Sequence, residues 1–115
     1  MLTLSLKSLR FSACYGLYPQ EQIQPNDFEV DISVSIPADA PDGPPMLDYQ
    51  TLHDAAAHAF ATPPEPQTLE KLLAVMYDFL RSRLPENSRT TLAVRKLKPA
   101  LGAGLDWAEV RFETH

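Results

Sequence analysis

The chain has 115 residues, 44% hydrophobic, with 15 acidic side chains against 10 lysines and arginines and a formal net charge of -5. This length predicts one domain over residues 1–115 with room for a real core, and a pI near 5.0 with no Lys/Arg cluster argues against a nucleic-acid partner. The single cysteine, Cys14, cannot form an intrachain disulfide, and neither a membrane-spanning run nor the continuous apolar core of a secretory signal is seen, so a soluble cytoplasmic protein is expected.

Leu2, Leu4 and Leu6 alternate with polar residues, which predicts a strand. The alternation then slips to Leu9, Phe11 and Ala13, which predicts a bulge near Ser8. Gly16, Pro19 and Pro25 punctuate a loop. From Phe28 to Ile36 a strict period of two separates Phe28, Val30, Ile32, Val34 and Ile36 from Glu29, Asp31, Ser33 and Ser35: a strand with one buried face and one wet face. Residues 37–45, rich in Pro and Asp, read as a connection.

A first helix is expected from Asp48 or Tyr49, with Asp48 as its N-cap and Leu52, Ala55, Ala56, Ala59 and Phe60 as its apolar stripe. The prolines of residues 62–66 stop it. A second helix starts near Thr68, with Leu69, Leu72, Leu73, Met76, Phe79 and Leu80 on one face, and ends before Pro85. Two strands, over residues 89–98 and 105–113, close the chain as a hairpin. The order β-β-α-α-β-β predicts an α+β fold: a four-stranded antiparallel sheet with two helices on one face.

His53 and His58 are five residues apart and so do not share a helix face; with no Cys cluster, no metal site is expected. Cys14 lies in no nucleophile motif and reads as a packed side chain. Glycine-rich nucleotide-binding motifs are absent. Three places remain suggestive: Glu21 at the end of the glycine-containing loop, Glu70 in the first turn of the second helix, and Lys96 and Lys98 at the end of the third strand. The helix dipole favours an ionised carboxylate at Glu70. Taken singly, each of these is more often a solvated surface charge.

In combination they resemble the dihydroneopterin aldolase family. The segment from Leu6 to Glu21, with Gly16 five residues before Glu21, is similar to that family's first hairpin, and Phe28 opens the following strand. Leu47-Asp48-Tyr49 resembles its entry to the first helix, Leu69-Glu70 its entry to the second, and Lys96-Leu97-Lys98-Pro99 its lysine-x-x-proline strand end. The resemblance runs over about residues 4–113 and implies the tunnelling fold. It also implies a cofactor-free lyase cleaving 7,8-dihydroneopterin, a pterin, to 6-hydroxymethyl-7,8-dihydropterin and glycolaldehyde in folate biosynthesis.

By position, the resemblance assigns proton transfer to Lys96, its positioning to Glu21, and protonation of the enol-like intermediate to Tyr49. Glu70 would hold the pterin's amino-pyrimidinone edge, main-chain groups near Leu47 and Leu69 would assist, and Tyr18 would stack on the ring. Lys98 is the alternative catalytic lysine, because Lys98-Pro99 fits a second form of the motif; both lysines share strand parity. The family's pockets lie between subunits of a homo-oligomer, a tetramer or octamer. Two positions depart from the family pattern: Tyr15 where a histidine often stands, and Thr68 where an apolar residue does. The alternatives are a dihydroneopterin triphosphate epimerase, for which more basic residues would be expected, or a pterin-binding paralogue without catalysis.

Overall fold

The computed structural model describes residues 1–42, 47–99 and 104–114. Strands β1 (Leu2–Ala13) and β2 (Asn26–Ile36) come first, then helices α1 (Tyr49–Ala61) and α2 (Leu69–Arg81), then strands β3 (Arg89–Leu97) and β4 (Trp107–Glu113). The sheet runs β1-β2-β3-β4, with every neighbouring pair antiparallel. This is the β-β-α-α-β-β order that the residue patterns predict.

On β2 the residues from Phe28 to Ile36 of one parity are buried, and the alternate residues face the other way. The helices cover the buried side, contributing Leu52, Ala55, Ala56, Leu72, Met76 and Leu80 to a core shared with Leu92 and Val94 of β3. Burying each large side chain contributes about 1.5–3 kcal/mol.

The irregularity in β1 falls where the slip in alternation puts it. Leu6 pairs with Ile32 and Leu9 with Val30, so Lys7 and Ser8 bulge out between them. Both leucines thereby keep to the helix side although two residues separate them. Ser8 takes a φ of 56°, and its N–H donates to Asp31 Oδ1 at 2.7 Å. Asp48 caps α1 as its sequence suggests, accepting from the Thr51 N–H, and Thr68 Oγ1 caps α2 by accepting from the Lys71 N–H, each bond contributing about 1 kcal/mol.

Three expectations shift. Strand β3 stops at Leu97, β4 starts at Trp107, and Cys14 is exposed, not packed. Ala13 is the last residue of β1 on the inward parity, so Cys14 leaves the strand pointing away from the core. Much of the connection before α1 and the tip of the last hairpin, residues 43–46 and 100–103, lie outside the described residues, as does His115.

Candidate active site

One end of the core opens into a cavity of about 530 Å³. Five pieces of chain meet there: the loop after β1, the start of β2, the N-terminus of α2, the end of β3 and the start of β4. Register explains how Lys96 reaches it. Lys96 pairs with Phe28 across β2 and β3, on the parity of Leu92 and Val94, so it extends the buried row. The helices no longer seal the core at that point, and the row ends in a charge.

The Lys96 ammonium is ion-paired with Glu21, and both side chains are largely shielded from solvent. Burial pushes the Lys96 pKa below that of a free lysine; the neighbouring carboxylate opposes that shift by favouring the ammonium. Glu21 lies in a one-turn 3₁₀ helix, Pro19–Gln22. Its Oε1 accepts the Tyr18 N–H at 3.3 Å, and its Oε2 accepts from Asn26 Nδ2 at 3.4 Å. The turn folds the carboxylate back over Gly16. A Cβ at residue 16 would lie 2.7 Å from Glu21 Cβ and closer still to the carboxyl group, so only glycine fits. The spacing of Gly16 and Glu21 thus has a steric cause.

Facing this pair, Leu69 and Glu70 line the cavity from the first turn of α2, where unpaired N–H groups and the helix dipole stabilise a carboxylate. Tyr18 lines the mouth and is 58% exposed. The cavity is therefore lined by an ammonium paired with one carboxylate and by a second carboxylate on another element, groups able to exchange a proton and to accept hydrogen bonds through two oxygens.

Lys98 is not part of it. The strand has ended, Lys98 is exposed with a φ of 46°, and its N–H donates to the Asp106 carbonyl at 2.8 Å. Shared parity holds only while the strand lasts. Leu47 is half-buried, Tyr49 is 58% exposed, and neither lines the cavity.

Three residues gain parts that sequence reasoning did not assign. Asn26 bridges the Glu21 carboxylate and, at 3.5 Å, the Tyr15 carbonyl. Gln67 Oε1 accepts the Gly16 N–H at 3.1 Å. The Tyr15 hydroxyl donates to the Thr68 carbonyl at 2.6 Å, so the two departures from the family pattern touch each other. Burial, with the nearby Glu65 and Glu70 charges, pushes the Tyr15 pKa up to about 12 and keeps the phenol a donor. A Gln before an N-cap and an Asn at a strand start carry no motif, so only the fold reveals them. Among the described residues no group of three His, Cys, Asp or Glu side chains could hold a metal, and no helix is long and apolar enough to cross a membrane.

This sheet-and-helix unit, with its cavity at the end of the core, has the tunnelling fold. The chain belongs to the dihydroneopterin aldolase family, whose model matches residues 4–113. Among solved structures it is similar to an Escherichia coli dihydroneopterin aldolase in complex with neopterin, with 17% identity over 100% of both chains and a TM-score of 0.76. It is also similar to a Burkholderia thailendensis dihydroneopterin aldolase bound to guanine, with 13% identity over 97% of this chain and 88% of that one and a TM-score of 0.72. No curated protein sequence matches significantly. The chain is thus an enzyme of the dihydroneopterin aldolase type.

Proposed function

We propose that the chain cleaves 7,8-dihydroneopterin by a metal-independent retro-aldol reaction, giving 6-hydroxymethyl-7,8-dihydropterin and glycolaldehyde. The observation that carries this reading is the Lys96–Glu21 ion pair set in one cavity with Glu70 in a chain of this family. Glu70 accepts two parallel hydrogen bonds from adjacent N–H donors on the pterin edge, an arrangement a carboxylate suits, and main-chain groups at Leu69 add to the hold. Tyr18 covers the ring at the mouth. Lys96, in the neutral amine form that burial favours, takes up the proton of the 2′-hydroxyl through a water and becomes the ammonium. The C1′–C2′ bond then breaks, glycolaldehyde leaves, and the electron pair moves into the pterin as an enol-like system. Protonation at C1′ completes the hydroxymethyl product. Glu21 sets the position and charge of the lysine, and the ammonium offsets the developing negative charge.

Tyr49, the proposed donor of that last proton, and Leu47 belong to the cavity of a neighbouring subunit in this reading. Their position away from their own chain's cavity is what supports it. Strands β1 and β4 each offer a free sheet edge, and joining edges into a ring of four, single or stacked as an octamer, removes that liability.

Purified protein incubated with 7,8-dihydroneopterin, without metal or nucleotide, should release 6-hydroxymethyl-7,8-dihydropterin and glycolaldehyde, followed by fluorescence-detected chromatography. Recovery of the 2′-epimer alone, or pterin binding without turnover, would refute the aldolase. Glu70→Ala should raise the pterin Kd about 10- to 100-fold, the cost of losing a charge-assisted pair of hydrogen bonds.

A further inference from the structure

We infer that Tyr15 is a positioning residue: its hydroxyl clasps the loop that carries Glu21 to the N-cap of the helix that carries Glu70, and so fixes the distance between the two ends of the cavity. This rests on the function proposed above.

The clasp has two bonds. Tyr15 Oη donates to the carbonyl of Thr68 at 2.6 Å, and the N–H of the next residue, Gly16, donates to Gln67 Oε1 at 3.1 Å. Consecutive residues of the loop thus hold consecutive residues at the start of α2. Thr68 is the N-cap, so its carbonyl also accepts the helix's first bond, from the Leu72 N–H at 3.1 Å, while its hydroxyl caps the Lys71 N–H. Tyr15 therefore grips the one residue whose placement sets the whole first turn, and Glu70 lies two residues further on. At the other end, Gly16 is the residue over which the Glu21 carboxyl folds, and Glu21 pairs with Lys96.

The tyrosine is itself fixed. It is 2% exposed, and its ring packs edge-on against Phe28 at 6.1 Å and Phe60 at 6.2 Å. Loop and helix are more than fifty residues apart in sequence and belong to different elements, so without the clasp each would adjust separately. A substrate held at Glu70 and attacked at Lys96 spans both. An error of about 1 Å in such a register costs on the order of a hundredfold in rate, because proximity in the reactive geometry is lost while ground-state binding is kept.

Tyr15→Phe removes only the hydroxyl and keeps the packed ring; Gln67→Ala removes the second bond without touching the core. Steady-state kinetics with 7,8-dihydroneopterin, neopterin affinity, thermal midpoint and amide exchange at Gly16 are measured on both variants and the wild type. The expected result for Tyr15→Phe is a kcat about 10- to 100-fold lower per folded site, KM and neopterin Kd within about threefold of wild type, and faster exchange at Gly16. Gln67→Ala should show the same split to a smaller degree. A kcat within twofold of wild type in both variants overturns the inference, as does a loss seen only in KM or only in the folded fraction. If the wild type itself does not turn over dihydroneopterin, the proposed function fails. The clasp is then judged by exchange alone: unchanged protection at Gly16 in both variants refutes it, and lost protection with an unshifted thermal midpoint supports it.

Discussion

Arg95 and Lys96 are neighbours on β3, both cations, and they point to opposite faces of the same sheet. On the face the helices leave uncovered, the Arg95 guanidinium bonds Asp31 at 2.8 and 3.0 Å, Glu109 at 3.0 Å and Glu29 at 3.2 Å, while Arg10 reaches Glu29 as well. These partners, Asp31 first, hold the Arg95 pKa above its usual value. On the covered face Lys96 has one carboxylate and a cavity, and burial pulls its pKa down. A guanidinium locked by three carboxylates neither moves nor gives up a proton; an ammonium with one partner can do both. The strand's alternation thus sorts two like charges: Arg95 is a fastener, and Lys96 is the reagent of the proposed reaction.

Lys96→Ala is the sharpest way to break that contrast. It should lower turnover by about a thousandfold or more, the scale of a lost acid–base group, and cost less stability than the loss of Arg95, since it strands one carboxylate, Glu21, which keeps the Tyr18 and Asn26 bonds. A variant that keeps a tenth of wild-type turnover would remove Lys96 from the chemistry. Arg95→Leu should do the reverse. It leaves three carboxylates clustered without their cation and should cost about 2–3 kcal/mol of stability, a value reduced from that of a fully buried pair because the Arg95 side chain is 12% exposed. Activity per folded molecule should stay near that of the wild type. Urea melts and specific activity, measured together, separate the two outcomes.

The fastener half of the comparison was invisible in the sequence, and the reason is physical. The alternation from Phe28 to Ile36 specifies which face each residue takes, because side-chain period and burial are local properties of a strand. The bulge at Ser8 and the cap at Asp48 are local too, and could be read directly. That Glu29, Asp31 and Glu109 converge on Arg95 depends on the pairing of three strands, which no spacing along one strand records. The same holds for the Tyr15–Thr68 bond, whose two ends appeared only as separate departures from a pattern. For Lys98 only the shared parity fails, because it was carried past Leu97, where the strand ends.

The network's response to acid comes next in size. Arg95 holds the Asp31 pKa at about 2, below its ordinary value of 3.8, with the Ser8 N–H adding to the shift. A depressed carboxylate contributes stability that is fully present above about pH 4 and is lost as the pH falls through 4 towards 2. The loss should be on the order of 1–2 kcal/mol, after allowing for solvent at a side chain 19% exposed. Asp31→Asn should flatten the acid limb of the stability curve below pH 4. An unchanged limb would mean that the network holds no more firmly in the folded chain than in the unfolded one.

The smallest effect belongs to Lys98, and it tests the boundary between the two lysines. The side chain is exposed and its residue lies in the left-handed region at a φ of 46°, a conformation that costs any residue with a Cβ about 1 kcal/mol. Lys98→Ala keeps that cost and removes only an exposed ammonium, so turnover should change less than threefold and stability by no more than about 0.5 kcal/mol. Lys98→Gly removes the cost and should stabilise the fold by up to about 1 kcal/mol. If Lys98→Ala abolishes turnover while Lys96→Ala does not, the reagent is the lysine beyond the strand end. The loop after Leu97 must then swing into the cavity during the reaction, and the lowered pKa of Lys96 would mark a buried structural charge and not a proton carrier.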